Sequence, residues 1–260
     1  MINSTERIAL EDIIRFLDEY LQLDSAPTDP SNNGLQVEAG TKISKVFLAV
    51  DVSMELINHA ILEEADLIIV HHGISWGPGI QRITDQTATR LAAMFKNDIS
   101  LYAVHLPLDA HPTIGHNAVM ASKLGLTHSA TFAEYAGVEI GVSGSLTKAM
   151  SAGTFAEFAK SALGIPFKLF GNESRKIRNV GVISGGAGSD GIMAAVDKKL
   201  DCLITGEVKH ESWHLIYESG LLVASGGHYA TETFGLKALM KVLCNKFNIK
   251  CEFIDIPTNL

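Results

Sequence analysis

The sequence predicts an α/β protein made of two related α/β halves, and three observations support this fold class. Short β-branched runs alternate with helical stretches along most of the chain, a pattern typical of βαβ units on a largely parallel sheet. The segment beginning VFLAVDVSMEL aligns with a later one beginning VGVISGGAGSD, with Asp66 on Asp201 and His72 on Glu207, which indicates an internal repeat. The chain has 260 residues, 47% of them hydrophobic, enough for one large domain or two smaller ones.

The predicted elements of the first block follow in a regular order. An amphipathic helix over 10–21, with Asn3 and Glu6 as a capping pair ahead of it, precedes the loop APTDPSNNGLQ. The elements after this loop are strand KVFLAV, a helix through about Glu64, strand DLIIV, a helix near 87–96 and strand ISLYAV. The stretch 127–146 alternates like antiparallel strands, and a helix near 155–163 follows it.

The second block repeats the alternation of strands and helices. Its elements are strand NVGVIS, a helix near 191–199, strand CLIT, a helix near 212–219, strand LLVAS, a helix near 231–247 and strand IKCEFID. From this order we expect a first α/β domain formed by 1–126 together with 229–260. The segment 127–228 is expected to form an inserted second α/β domain.

Composition and charge exclude several classes of protein. The formal net charge is -8 and no basic cluster occurs, so a nucleic-acid binder is not expected. The apolar runs are shorter than the roughly 18 residues of a membrane span, and MINSTERIALED lacks the features of a signal peptide. We therefore expect a cytoplasmic protein. Cys202, Cys244 and Cys251 lack CxxC spacing and are expected to be reduced core residues.

Two adjacent histidines, His71 and His72, directly follow the apolar run DLIIV and precede Gly73. Open α/β sheets have their sites at the carboxyl ends of strands. Neighbouring strand residues point to opposite faces, so both imidazoles reach one site if the chain turns, which Gly73 permits. We interpret the pair as metal ligands. The alternative is a pair of surface or capping histidines.

Two further strands end in the same residue types. His105 and Asp109 follow ISLYAV, and His228 and Glu232 lie four residues apart after LLVAS, where one helix face carries both. The alternative for the first pair is that Asp109 caps a turn and His105 is hydrogen-bonded to the backbone. The alternative for the second is a surface ion pair of His228 with Glu232. The loop HPTIGHN adds two histidines with a weaker signal, because it also reads as a solvated helix entry.

The three clusters of His with Asp or Glu are expected to converge on one site, since each lies at the predicted carboxyl end of a strand. Together they offer more ligands than a tetrahedral zinc site uses. The count favours two divalent ions that share a carboxylate or a water, an arrangement typical of metal-assisted hydrolysis. Mixed His and carboxylate ligands accept zinc, iron, manganese or nickel.

A competing motif consists of Gly186, Gly188 and Gly191, which form GxGxxG after a predicted strand, with Glu207 at the end of the next strand. This pattern alone indicates a dinucleotide site. In the alignment of the two blocks, DVSMEL of the first block lies over this glycine turn, and no second mononucleotide half follows. We therefore interpret the turn as one copy of a shared strand-to-helix junction. A phosphate or nucleotide moiety resting on this turn stays an alternative, as does a role for Glu207 in the metal site.

The motifs NNGLQV, ADLIIVHHG, AVHLPLDA, TGEVKH and GGHYATE occur in this order, and together they resemble the Nif-three-like family, whose members are often named GTP cyclohydrolase 1 type 2 homologues. The resemblance implies two α/β halves, a di-metal centre in the cleft between them, and assembly into homohexamers. Carried over motif by motif, it implies the metal ligands His71, His72, Asp109, His228 and Glu232. For His105 it implies metal binding or a role as general acid or base.

We expect a di-metal hydrolase that acts on a nucleotide or on another phosphorylated or cyclic amide substrate, with His105 as the proton shuttle. The alternative, from another class, is a non-catalytic metal carrier or regulatory partner that forms a ring-shaped homo-oligomer. Ligand type determines binding and not reactivity. The two hypotheses predict different results for a Glu232→Gln variant whose fold is intact. An enzyme loses its turnover in this variant, whereas a metal carrier shows no turnover even in the wild type.

Overall fold

The computed structural model describes residues 7–260, and the predicted capping pair, Asn3 with Glu6, lies outside them. The strands are β1 (Ile8–Ala9), β2 (Gly34–Val37), β3 (Lys42–Ile43), β4 (Lys45–Asp51), β5 (Leu67–His72), β6 (Ser100–Ala103), β7 (Thr127–Tyr135), β8 (Val138–Ser151), β9 (Lys168–Gly171), β10 (Lys176–Gly186), β11 (Cys202–Glu207), β12 (Leu222–Ser225) and β13 (Lys250–Phe253). The helices are α1 (Leu10–Leu21), α2 (Met54–Leu62), α3 (Asp85–Lys96), α4 (Leu106–Asp109), α5 (His116–Lys123), α6 (Ala152–Leu163), α7 (Gly188–Asp197), α8 (Trp213–Ser219), α9 (His228–Thr231) and α10 (Thr233–Phe247). Among the described residues, every helix is too short or too polar to span a bilayer.

The chain divides into two compact units. Unit 1 comprises Met1–Leu108 and Leu236–Ile256, and unit 2 comprises Asp109–Gly235 and Pro257–Leu260. Unit 2 begins before residue 127 because α5 packs on β8 and β10, where Met120 and Leu124 join the apolar core. The domains expected from the sequence, 1–126 with 229–260 and 127–228, stay a prediction.

Unit 1 has a five-stranded sheet in the order β13-β4-β5-β6-β2. The first four strands are parallel, and β2 is an antiparallel edge strand on β6. Phe47 of β4 and Ile68 of β5 are fully buried in one core cluster with Leu56 of α2 and Met94 of α3. The apolar runs that predicted β4 and β5 are therefore continuous because these strands lie in the middle of a sheet that is buried.

Unit 2 has a six-stranded sheet in the order β7-β8-β10-β11-β12-β9. Strands β10, β11 and β12 are parallel, and β7 and β8 form the predicted antiparallel pair. Cys202 and Ile204 lie in one apolar cluster, whereas Leu203 lies in the other. Successive residues of β11 thus point into two cores, one on each face of the sheet.

The two units repeat one order of elements. Apart from the two-residue strands, unit 1 runs α1-β2-β4-α2-β5-α3-β6 and unit 2 contains α6-β9-β10-α7-β11-α8-β12. In each unit the first of these strands pairs antiparallel with the last, β2 with β6 and β9 with β12. This correspondence confirms the prediction of two related α/β halves.

The aligned residues Asp66 and Asp201 make equivalent contacts in the two units. Asp66 Oδ2 accepts hydrogen bonds from the backbone N–H of Ser44 at 2.7 Å and of Lys45 at 3.0 Å. Asp201 Oδ2 accepts from the backbone N–H of Arg178 at 3.1 Å and of Asn179 at 2.8 Å. The carboxylate that directly precedes β5 therefore fixes the backbone at the start of β4, and the one that directly precedes β11 fixes the backbone of β10.

Replacing Asp201 by alanine is expected to lower the free energy of unfolding by about 1–3 kcal/mol, because two backbone N–H groups and the Arg175 guanidinium lose their acceptor. Urea unfolding at neutral pH measures the change. The control is Asp197→Ala, an exposed position on α7, which is expected to change stability by less than about 0.5 kcal/mol. Equal stability of the two variants would contradict the proposed role of Asp201.

Candidate metal centre

Three histidines of unit 1 lie side by side at the carboxyl end of its parallel strands. His71 and His72 are the last two residues of β5, and His105 lies just after β6. One ligand-capable atom of each lies within 4.8 Å of those of the other two, and the ring centroids of His71 and His105 are 5.0 Å apart. The structure thus brings together three side chains that were predicted from strand ends alone.

The hydrogen bonds of these histidines define which ring nitrogen can bind a metal. In all three, Nδ1 lies 2.8 or 2.9 Å from an oxygen acceptor, which is the carbonyl of Val104 for His71, Asp51 for His72 and Asp29 for His105. A carbonyl or an ionised carboxylate only accepts, so Nδ1 carries the proton and the lone pair of a neutral ring is on Nε2. Metal-ligating histidines are oriented by such hydrogen bonds.

Asp29, which was not predicted from the sequence as a site residue, holds His105 in place. Its side chain is 1% exposed and accepts hydrogen bonds from the His105 ring, the Asn33 amide and the backbone N–H groups of Ser31 and Leu106. Burial alone would raise the pKa of Asp29, but these hydrogen bonds and the charge of His105 hold it below its ordinary value. The sequence signal for Asp29 was the segment DPSNN, because an Asp at the start of such a segment often stabilises a turn by accepting hydrogen bonds from the backbone that follows it.

Gly73 is required for a reason other than the predicted turn. Strand β5 continues through His72, whose ring centroid is 4.7 Å from that of His71. A Cβ at Gly73 would lie 2.3 Å from Gln36 Oε1 and 2.6 Å from the Ala103 Cβ. The glycine therefore permits close packing, and Gln36 uses the same oxygen to accept the N–H of Ile74 at 2.7 Å.

Unit 2 contains a histidine that lies between two carboxylates. His228, the first residue of α9, has Nε2 3.1 Å from Glu232 Oε1 and Nδ1 3.5 Å from Glu207 Oε2. In the absence of metal, the hydrogen bond with Glu232 raises the pKa of His228 to about 9, helped by the charges of both carboxylates and opposed by burial. His228 and Glu232 are thus close together, as their spacing predicted, and Glu207 lies next to His228 as well.

The glycine turn at the end of β10 lies against these carboxylates. Gly185 has φ +60°, and a Cβ there would lie 2.2 Å from Glu232 Oε1 and 3.0 Å from His228 Nε2. A Cβ at Gly186 would lie 3.0 Å from Glu207 Oε1. Gly185 and Gly186 thus make room for acidic side chains, which accounts for this part of the turn without a dinucleotide. A phosphate on the turn stays a prediction.

Asp109, the last residue of α4, lies within unit 2 and is 7% exposed. Its Oδ1 accepts a hydrogen bond from Ser184 Oγ at 2.9 Å, and the N–H of Ser184 donates to Asn117 Oδ1 at 2.7 Å. The carboxylate is therefore oriented by β10, the strand that also carries Gly185. This contact orients a potential ligand in the same way that Asp29 orients His105.

His111 and His116, from the weaker loop motif, differ from the histidines of unit 1. His116 Nδ1 accepts the N–H of Gly235 at 3.0 Å, and His111 Nδ1 accepts the N–H of Ile114 at 3.3 Å. In a neutral ring the proton is then on Nε2, which makes that nitrogen a donor rather than a metal ligand. His116 lies within 4.8 Å of Asp109 and is suited to donate a hydrogen bond there.

Known proteins match this chain over nearly its whole length. The family model described as Duf34/NIF3 (NGG1p interacting factor 3) matches residues 8–259. A relative from Archaeoglobus fulgidus, named GTP cyclohydrolase 1 type 2 homolog, is 43% identical over 251 residues, which cover 96% of this chain and 99% of the relative.

Solved structures share the fold. The crystal structure of TTHA1606 from Thermus thermophilus is 36% identical, with a TM-score of 0.84 and coverage of 97% of this chain and 100% of that one. The protein ybgI, described as of unknown function, is 33% identical, with a TM-score of 0.87 and the same coverage. These matches cover both α/β units.

Proposed function

The chain belongs to the Duf34/NIF3 family, and from this premise we propose that it binds two divalent metal ions and hydrolyses a nucleotide or another phosphorylated or cyclic amide compound. The proposed ligands are His71, His72, Asp109, His228 and Glu232. The nucleotide as substrate class is suggested by the name of the relatives, GTP cyclohydrolase 1 type 2 homolog. The predicted homohexamer and the cytoplasmic location stay part of the proposal.

The observation that carries the proposal is the arrangement of oxygen acceptors on Nδ1 of the unit 1 histidines. It leaves the lone pair of each neutral ring on Nε2, and one ring nitrogen of each histidine lies within 4.8 Å of those of the other two. Neutral imidazoles together with the carboxylates of Asp109 and Glu232 form a donor set that suits zinc, iron, manganese or nickel. Divalent ions held by such ligands polarise a scissile group and lower the pKa of water.

His105 is the proposed proton carrier. Its Nδ1–H is held by Asp29 at 2.8 Å and its backbone N–H by Asn33 Oδ1 at 2.7 Å, so the ring has a fixed orientation. Nε2 is then the atom at which a proton is taken up or released. The buried carboxylate stabilises the imidazolium that forms when Nε2 gains that proton.

The purified protein is expected to contain about two transition-metal ions per chain by elemental analysis, as a two-metal site requires. Glu232→Gln and His72→Ala are each expected to weaken metal binding by at least about 100-fold, because loss of a direct ligand costs more metal affinity than loss of a group that orients a ligand. Glu218→Gln and His214→Ala, exposed on α8, are the matched controls and are expected to keep the metal. Wild-type protein that takes up no metal on titration would refute the metal site.

Turnover is tested separately on metal-loaded protein with GTP and with cyclic amides as substrates. The hydrolase proposal predicts activity that Glu232→Gln loses and Glu218→Gln keeps. Bound metal without hydrolysis of any of these compounds would contradict the hydrolase and favour a metal carrier or regulatory protein. The two measurements therefore separate metal binding from catalysis.

A further inference from the structure

Two cysteines of unit 1 lie together although they belong to different elements. Cys244 is in the last turn of α10, and Cys251 is the second residue of β13. Both are half-buried, whereas Cys202 is buried as the sequence predicted. Cys244 and Cys251 line one open surface depression of about 500 Å³. They are therefore accessible from solvent at the same place.

The chain reversal between α10 and β13 places the two thiols beside each other in one surface depression. Helix α10 ends at Phe247, and Asn248 has φ +53°, the left-handed conformation that ends many helices. The N–H of Asn248 donates to the carbonyl of Cys244 at 3.0 Å. The Cys251 thiol donates a hydrogen bond to the carbonyl of Ile249 at 4.0 Å, and the Cys244 thiol is near enough to raise the pKa of Cys251.

We propose that Cys244 and Cys251 are a redox-reactive pair that forms a reversible disulfide when a low-molecular-weight disulfide is the oxidant. One protein thiolate attacks a sulfur of the oxidant, and the oxidant's S–S bond breaks as one small thiol leaves and takes up a proton. The second protein thiolate then attacks the mixed disulfide and releases the second small thiol. Two protein thiols are oxidised and one small disulfide is reduced to two thiols.

The environment of the pair determines when this reaction occurs. Burial, together with the neighbouring Cys244 thiol, raises the pKa of Cys251, and only the thiolate attacks a disulfide. The raised pKa lowers the thiolate fraction of Cys251 at neutral pH and therefore slows its attack on a disulfide. Oxidation is expected to accelerate as the pH rises, by about tenfold per pH unit while the pH lies below the pKa of the attacking thiol, in proportion to its thiolate fraction.

The experiment uses the full chain, reduced and then incubated with oxidised glutathione between pH 7 and 9. Thiol titration after denaturation is expected to fall from three thiols per chain to about one, as exchange within a pair requires. Peptide mass mapping is expected to link 244 to 251, with the loss of two hydrogen atoms and no retained glutathione. Addition of a reduced dithiol is expected to restore all three thiols.

Three variants serve as controls. Cys202→Ala is expected to lose two thiols on oxidation, whereas Cys244→Ser and Cys251→Ser should each keep a stable mixed disulfide with glutathione or remain reduced. Retention of three thiols in the wild type at pH 9 would overturn the proposal. A stable mixed disulfide in the wild type, or a disulfide between two chains, would overturn it as well.

Discussion

Replacement of Gly185 by alanine is expected to weaken metal binding by at least about 100-fold while the fold persists. The added Cβ would lie 2.2 Å from Glu232 Oε1 and 3.0 Å from His228 Nε2, so both ligand atoms must move. Non-bonded heavy atoms do not approach so closely, and the backbone has little room to relax because the carbonyl oxygen of Gly185 packs directly on Gly206. Elemental analysis and metal titration of the purified variant measure the loss.

Gly188→Ala is the matched control for Gly185→Ala. Both glycines have φ +60°, so an alanine at either position carries the same backbone strain of about 1–2 kcal/mol. A Cβ at Gly188 meets nothing within 4 Å, and this variant is expected to retain its metal. Circular dichroism and thermal unfolding should show similar folds for both variants. Equal metal contents in the two would refute the steric role of Gly185.

Asp29→Ala is expected to lower the free energy of unfolding by about 3–5 kcal/mol, because it removes a buried carboxylate and leaves its partners without their acceptor. Those partners include the His105 ring and the Asn33 amide. Urea unfolding at neutral pH measures the difference from wild type. Asp24→Ala, an exposed position close by in sequence, is the control and is expected to change stability by less than about 0.5 kcal/mol.

The stability due to Asp29 is also expected to depend on pH. Its pKa in the folded chain is lower than the ordinary value of 3.8, so the folded state favours the ionised carboxylate. The contribution is fully present above that ordinary pKa and is lost as the pH falls through the lower folded value. The difference between wild type and Asp29→Ala should therefore shrink as the pH falls below the ordinary carboxyl pKa of 3.8. A difference that grows as the pH falls below that value would contradict this account.

The sequence predicted the elements whose pattern is local. Strands β4, β5 and β11 are continuous apolar runs because both faces of the sheet are covered. Strands β2 and β9 were missed because each has four residues and pairs at a sheet edge, where no apolar run is needed. An antiparallel edge strand is defined by its partner, which the local pattern does not contain.

The site was predictable in part for the same reason. His71, His72 and His105 follow apolar runs, so their place at strand ends could be read from the chain. Asp29 lies 76 residues from His105, and no spacing rule connects them. The proximity of Cys244 and Cys251 depends on a helix end and a left-handed Asn248, and the sequence has no CxxC spacing that could have indicated it.

Asp66 and Asp201 stand at the opposite strand ends from the candidate ligands. Each fixes the strand backbone near the amino ends of the parallel strands in its own unit. At the carboxyl ends, the strands pair through Asp51 and His72 in unit 1 and through Gly186 and Glu207 in unit 2. Pairing therefore extends to the last position in both units, although β10 has one extra residue before Gly186 and β4 has none. A duplicated fold of this kind can diverge in donor chemistry at that position, imidazole in one copy and carboxylate in the other, while the two strands stay paired to their ends.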